Sequence, residues 1–168
     1  MQARQKLRSA AAGAAAATVW GLLEPLDQRL FGSDYSDIAV LGKAATRGPR
    51  WRSVGFAIHA LNGAVFGVVF DGVRRRVAIQ PRRLALGMAL VEHLTLYPLC
   101  YFVDRYHPAR GEEGLPPLLA NRRAFAQATA RHVVFGLILG RLVTGEERPG
   151  EDLPGSPPRR GAASLRSR

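Results

Sequence analysis

The chain has 168 residues, a length that fits one domain, and a formal net charge of +11. Its single cysteine, Cys100, excludes an intrachain disulfide and any multi-cysteine metal site. Basic residues stand in short groups at the ends of apolar segments and are not interleaved with aromatic residues, which argues against a nucleic-acid partner.

The first apolar segment, residues 9–25, follows a basic leader and is rich in alanine. It could be the apolar region of a cleaved secretory signal. The apolar run, however, continues through Leu22 and Leu23 to Glu24 and Pro25 without a clear polar boundary after an Ala-x-Ala site. We therefore predict an uncleaved first membrane span. A connection follows it, with Ser36 among several good N-cap residues for a short helix.

The second predicted span covers residues 53–73. The stretch from Ser53 to Phe70 contains no charged residue. Small or ionisable residues recur at every fourth position and form one stripe on a helix: Gly55, His59, Gly63, Gly67 and Asp71. Arg74, Arg75 and Arg76 follow, and we expect them to meet anionic lipid headgroups on the inner membrane face.

The third and fourth predicted spans cover residues 84–103 and 124–143. Glu92 and His93 interrupt the third span near its middle, and tyrosines gather at its end as in an aromatic belt. The fourth span carries Arg131 and His132 and is followed by residues 145–168, whose Gly, Pro, Glu and Arg content predicts a disordered tail.

The basic residues predict an orientation. With the N-terminus inside, fourteen Lys and Arg residues lie on the inner side and nine on the outer side. This bias favours a multi-pass protein of the cell (inner) membrane with both termini in the cytoplasm.

The chain aligns with itself without a gap when Pro25 is placed on Pro98, a displacement that we call the repeat shift. Eleven identities fall within residues 12–72, and they keep a proline, a histidine and two glycines in phase: Pro25 with Pro98, His59 with His132, Gly63 with Gly136, and Gly67 with Gly140. The pattern predicts an all-α fold of four transmembrane helices arranged as two repeated helical hairpins. Two spans per repeat would make the halves parallel, related by an axis along the membrane normal.

Two sets of residues are the candidates for function. The first is an intramembrane polar layer: His59, Asn62, Glu92, His93, Arg131 and His132. Ionisable groups in hydrocarbon pair or line a polar cavity, so we expect Glu92 and Arg131 to form an ion pair. The second is a helix-packing seam of small residues: Gly55, Gly63, Gly67, Gly136 and Gly140.

The polar layer allows three interpretations: structural hydrogen bonding between helices, a path for protons or small solutes, and a metal site. No histidine pair has the i, i+4 spacing of a helical metal motif, and no phosphate loop, nucleophile elbow or dinucleotide fingerprint is present. We therefore predict no catalytic, cofactor-binding or metal-binding residue, and no enzyme activity.

The layout resembles small four-helix bacterial inner-membrane proteins of the YagU-like kind. The resemblance spans residues 9–143 and rests on the WGLLEP sequence that closes the first span, on His59, Asn62 and Gly63 in the second, on His93 before Pro98 in the third, and on His132 in the fourth. It implies a membrane protein without an established activity, connected with stress at the envelope, and it supplies no catalytic residues.

Three functions follow from these observations. The first is a structural or interaction protein of the lipid bilayer, in which glycine seams assemble hairpins or a homo-oligomer. The second is a proton or small-solute conduit that uses the polar layer. The third is a soluble all-α domain in which the same helices form an ordinary core.

Overall fold

The computed structural model describes residues 2–145, and over these residues the fold is all-helical, without a strand. The helices are α1 (Gln2–Phe31), α2 (Asp37–Ala45), α3 (Trp51–Arg74), α4 (Pro81–Leu96), a 3-10 turn (Tyr97–Leu99), α5 (Cys100–Tyr106) and α6 (Arg122–Gly145). The all-α fold class is therefore confirmed. The predicted tail, apart from Gly145 at the end of α6, lies outside the described residues.

Helix boundaries differ from the predicted spans at two prolines. Helix α1 continues through Pro25 and stops only at Phe31, before Gly32, which has a left-handed φ of +57°. Proline lacks an N–H and clashes with the carbonyl four residues earlier, which is why Pro25 looked like a helix end. Pro98 interrupts its helix, since the 3-10 turn that contains it separates α4 from α5.

The short helix α2 begins directly after Ser36, one of the residues predicted to cap it. The Ser36 hydroxyl accepts a hydrogen bond from the Ala39 N–H at 2.9 Å, which satisfies one of the free donors of the first turn. Because Gly42 and Gly55 lack side chains, α2 packs closely against the start of α3. Gly55 was predicted to belong to the long helix-packing seam, and it packs instead against α2.

Two antiparallel helix pairs, α1 with α3 and α4 with α6, make up the bundle, and α1 also packs against α6. In the first pair, a Cβ on Gly63 would lie 2.5 Å from the Gly13 carbonyl oxygen, so only glycine fits there. In the second pair, a Cβ on Gly136 would lie 2.8 Å from the Leu86 Cα. The repeat shift that relates Gly63 to Gly136 also relates Gly13 to Leu86.

The same register holds one turn further along both pairs. A Cβ on Gly67 would overlap the Ser9 carbonyl, and one on Gly140 would lie 2.8 Å from the Arg82 Cα. Ser9 and Arg82 are again related by the repeat shift. The two hairpins, α1 with α3 and α4 with α6, therefore pack their helices at equivalent positions.

An apolar core fills the half of the bundle near the turn between α3 and α4. Phe70 and Leu139 are fully buried there, together with the small side chains of Ala16, Ala85 and Ala89. The small residues bring the helix axes close together, and the two large ones fill the space between the hairpins. Two polar side chains, Ser9 and Asp71, are buried in the same half of the bundle, and Arg75 pairs with Asp71.

The opposite end is covered by a cap, which consists of residues 32–50 and 107–121. Its two segments are hydrogen-bonded to each other: the Lys43 ammonium donates to the Glu113 carbonyl at 2.8 Å, and the Ser36 N–H donates to the Gly114 carbonyl at 3.0 Å. Ala39, Ala109 and Leu115 form a small core between the segments. The sequence predicts both segments as connections and contains no sign that they fold onto one another.

Two helical stretches of the described chain are long and apolar enough to cross a membrane: Trp51–Arg74 and Pro81–Tyr106. The four predicted spans are thus not all supported. Helix α1 owes much of its apolar character to alanine, which is only weakly apolar, and α6 carries Arg131 and His132 in its middle. For these reasons neither α1 nor α6 is apolar enough over its length to count as a candidate span.

Candidate functional site

Arg131 lies at the centre of a buried ion-pair cluster beneath the cap. Its side chain is only 2% exposed. Two of its nitrogens donate to the two carboxylate oxygens of Asp27, at 2.6 and 2.7 Å, in the bidentate geometry that makes arginine pairs strong. A third nitrogen donates to Asp37 Oδ2 at 2.6 Å, and Glu24 Oε2 lies 3.7 Å away. We call Glu24, Asp27, Asp37 and Arg131 the arginine cluster.

Neighbouring side chains complete the hydrogen bonding of the cluster. The Tyr35 hydroxyl donates to Asp37 Oδ1 at 2.5 Å, and its ring lies 5.1 Å from the guanidinium carbon of Arg131. Gln127 Nε2 donates to Asp27 Oδ1 at 2.7 Å. Three chain segments thus meet at one guanidinium: α1, the cap and α6.

The surroundings shift the pKa values of Asp37 and Tyr35, which both belong to the cap. Burial alone would raise the pKa of Asp37, but the charge of Arg131 and the hydrogen bond from Tyr35 outweigh it and hold that pKa below its usual value. Burial and the charge of Asp37 raise the pKa of Tyr35 well above its usual value. Asp37 is therefore ionised at neutral pH, and Tyr35 keeps its proton to donate.

The expected ion pair between Glu92 and Arg131 is wrong. Glu92 lies near His132 instead, with Oε2 and Nε2 3.9 Å apart. Arg131 reaches α1 rather than α4 because α1 extends past Pro25 and carries Asp27 to the same depth. A local signal was present in the sequence: four acidic residues, Glu24, Asp27, Asp34 and Asp37, follow one another at short intervals in a strongly basic chain.

Three histidines and a tryptophan form a row of rings across the bundle. Ring centroids are 4.8 Å apart between His59 and Trp20, 5.3 Å between Trp20 and His132, and 4.6 Å between His132 and His93. Each histidine also has a hydrogen-bond partner, at 3.1 Å for His59 with the Ala17 carbonyl. The repeat shift relates Trp20 to His93 and His59 to His132, so the two ends of the row are equivalent ring pairs.

Four of the six predicted polar-layer residues line one cavity of about 180 Å³, which we call the cleft: His59, Asn62, Glu92 and His132. It lies between α3 and α4, which contact each other far less than they contact α1 and α6. Trp20, Phe66 and Phe135 give it aromatic walls, and Asp37 with Val40 and Leu41 of α2 closes it toward the cap.

The two remaining predicted residues lie outside the cleft. Arg131 belongs to the arginine cluster. His93 lines a second cavity of about 200 Å³, which it shares with Tyr35, Tyr97 and Cys100, and Nε2 of His93 lies 2.9 Å from the Thr129 hydroxyl. Asp37 and His132 border both cavities. Within residues 2–145, no three His, Cys, Asp or Glu side chains come together in a way that could hold a metal ion.

Comparison with known protein families, with curated proteins and with solved structures returned no match for this chain.

Proposed function

We propose that the chain is an integral membrane protein with a structural or interaction role, in which two helical hairpins are held together by the arginine cluster beneath the cap. The single observation that carries the proposal is the outward-facing apolar surface of its two most apolar helices. Only 28% of the apolar stretch of α3 and 11% of that of Pro81–Tyr106 is buried in the protein.

An ordinary soluble core helix of this composition would be mostly buried. Here large apolar side chains point outward along every long helix: Leu22, Leu26 and Leu30 in α1; Leu61, Val65 and Val69 in α3; Val91, Leu94 and Phe102 in α4 and α5; Leu137 and Leu142 in α6. Scattered exposed apolar residues are normal, but a surface of this extent favours contact with lipid.

The finer architecture belongs to the same proposal. All four long helical segments would cross the bilayer, as two duplicated hairpins, with the cap outside and both termini in the cytoplasm of a bacterial cell. The glycine contacts at positions equivalent under the repeat shift support the duplication. Membership of the YagU-like group is part of the proposal and rests on the residues from Trp20 to His132 that carry the resemblance.

The inner membrane face would be basic. Arg75 Nε donates to Asp71 Oδ2 at 3.0 Å and Arg76 Nη1 to the Gly72 carbonyl at 2.6 Å, so these side chains fold back along α3. With Arg74, they would still place positive charge at the headgroup level, where each basic residue is worth about 1 kcal/mol toward anionic lipid.

The structural role rests on the partners of Arg131. They come from α1 and the cap, whereas Arg131 belongs to α6, so the cluster ties the second hairpin to the first. Breaking such a buried pair from one side costs about 3–5 kcal/mol, because the remaining charges stay buried without compensation. A cluster of this kind acts as a lock between the hairpins.

Alkaline extraction tests the membrane location directly. Membranes from cells that express the full chain are washed at high pH without detergent. We expect the protein in the pellet and its release by detergent. Recovery in the alkaline supernatant would show the third function, a soluble all-α domain, to be correct.

A second candidate, a site for a small solute, is favoured by the cleft. Between the cleft and the inner end of the bundle lies the apolar core with Phe70 and Leu139, and the buried Asp71 beside it is paired with Arg75. The geometry therefore favours a binding cleft over a path that crosses the whole bundle.

A further inference from the structure

Negative charge exceeds positive charge around the cleft. Arg131 forms ion pairs with three carboxylates, those of Glu24, Asp27 and Asp37. Asp37 also borders the cleft. Glu92 has no Lys or Arg partner within residues 2–145, and its side chain is 40% exposed. A carboxylate at membrane depth requires a counter-charge or a proton. No basic side chain of the described residues neutralises Glu92 in the cleft, so a bound cation could supply the counter-charge.

The two histidines of the cleft present acceptors to it. His132 Nδ1 lies 2.8 Å from the Ala128 carbonyl, and because a carbonyl only accepts, this nitrogen carries the proton. In the neutral ring its Nε2 is then a lone-pair acceptor, 3.9 Å from a Glu92 oxygen. His59 is 6% exposed and uses Nε2 for the Ala17 carbonyl, which in the neutral ring leaves Nδ1 as an acceptor without a hydrogen-bond partner.

Hydrogen-bond donors are scarce by comparison. The Asn62 amide borders the cleft, and Trp20 Nε1 is buried without a partner. An occupant that satisfies the carboxylate and the imidazole nitrogens must therefore bring several N–H or O–H donors of its own. An ammonium group brings at least three donors and a positive charge.

The walls and the volume narrow the class of occupant. Trp20, Phe66 and Phe135 border the cleft, and aromatic faces attract cations, most strongly where water is excluded. A cavity of about 180 Å³ corresponds to about six water molecules at about 30 Å³ each. This space suits a small cation and excludes a lipid headgroup with its chains.

We propose that the cleft binds a small ammonium cation of the ammonium or methylammonium class. The Glu92 carboxylate supplies the counter-charge, His132 Nε2 accepts one N–H, and the aromatic walls hold the cation against α1 and α6. The proposal rests on the second candidate function. Alkali cations are disfavoured because two of the acceptors are imidazole nitrogens, which suit N–H donors and transition metals better.

Trp20 reports on the occupant. Trp51→Phe leaves Trp20 as the only tryptophan of the full chain. The detergent-solubilised protein is titrated with methylammonium chloride at pH 7 while its fluorescence is followed, and an equal titration with sodium chloride controls for ionic strength. We expect a saturable change with methylammonium only. Its absence, or the same change with sodium, overturns the proposal.

Glu92→Gln and Glu113→Gln are the matched pair in the same background. Both remove one carboxylate, but Glu113 lies exposed in the cap. We expect Glu92→Gln to weaken methylammonium binding about tenfold or more, since it removes a charged hydrogen bond, and Glu113→Gln to leave binding unchanged.

His132→Leu removes the Nε2 acceptor without adding another polar atom, and it should also weaken binding. Helix content by circular dichroism confirms that each variant is folded. Folded Glu92→Gln and His132→Leu proteins that bind as tightly as the parent would contradict the site. Such a result leaves the membrane proposal intact, because that proposal fails only if the alkaline wash releases the protein.

Discussion

At the scale of single residues, Arg131 carries more ionic contacts than any other side chain of the described chain. Its guanidinium is shared by Asp27, Asp37 and Glu24, and the Tyr35 ring lies against it. Three carboxylates without this cation would repel one another in a buried site. Their charges would have to be neutralised by protonation or exposed to solvent by opening the cap.

Arg131→Met should therefore lower the free energy of unfolding by about 3–5 kcal/mol. Unfolding of the detergent-solubilised protein by denaturant, followed by far-ultraviolet circular dichroism, measures the effect. Arg123→Met is the control, since Arg123 is exposed and its guanidinium contacts the Gly32 carbonyl at a long 3.3 Å. We expect that variant to change stability by less than about 0.5 kcal/mol. Equal effects of the two substitutions would contradict a lock at Arg131.

The sequence identified Arg131 as a functional candidate but not its partners. A charged residue in an apolar helix is visible in any sequence, because it violates the local pattern. Asp27 and Asp37 were not recognised because they lie beyond Pro25, in a stretch that reads as a polar connection. Their selection by Arg131 depends on long-range packing, which no local pattern contains.

At the scale of helices, the contacts between the members of each hairpin depend on glycine. Gly63 faces the Gly13 carbonyl and the Ala17 methyl group, with no space for a side chain. Gly87, on the outer face of α4, has nothing within 4 Å of a Cβ built on it. The two glycines therefore provide a controlled comparison.

Gly63→Ala should destabilise the protein by about 1–3 kcal/mol, since α1 and α3 must move apart to admit one methyl group. Gly87→Ala should be neutral or stabilise the protein by up to about 1 kcal/mol through its helix propensity. Thermal unfolding of both variants in one detergent gives the comparison. A loss of stability that is the same at both positions would show that the close contact at Gly63 is not a determinant of packing.

The spacing of small residues predicted most of these contacts. A stripe at every fourth position defines one face of a helix, so Gly63, Gly67, Gly136 and Gly140 could be assigned to close helix contacts from the sequence alone. Gly55 belongs to the same stripe but packs on α2. The stripe specifies which face of the helix packs closely. Which neighbouring helix each glycine contacts depends on where those neighbouring helices begin and end.

At the scale of the whole molecule, the cap and the turn between α3 and α4 lie at opposite ends of the bundle. If the long helices span the membrane, these two ends face different compartments. Arg110 in the cap and Ala78 in the turn are both exposed, and neither contributes to the described core. They are suitable positions for a chemical label.

In a Cys100→Ser background, a membrane-impermeant maleimide should label Arg110→Cys in intact cells and Ala78→Cys only after the membrane is permeabilised. The readout is the mass shift of the protein on a gel. The reverse pattern would invert the proposed orientation. Labelling of both positions in intact cells would contradict a membrane-spanning bundle.

The all-helical fold and the antiparallel hairpins could be predicted from hydrophobic runs and small-residue spacing. The cap could not, because its two segments are separated in sequence by α3, α4 and α5 and join through contacts such as Lys43 with the Glu113 carbonyl. Contacts between segments so far apart in sequence leave no local pattern. Only the assembled bundle brings them together.

The arginine cluster has a consequence for how the hairpins recognise each other. The repeat shift places Ile58 at the position equivalent to Arg131 and Cys100 at the position equivalent to Asp27. Two copies of the first hairpin would place the Asp27 carboxylate opposite Ile58, and two copies of the second would place Arg131 opposite Cys100. In both cases a buried charge would lose its partner, and unpaired charges of this kind disfavour the wrong partner. The difference in charge between the hairpins therefore favours association of each one with its covalent neighbour over association with its own kind.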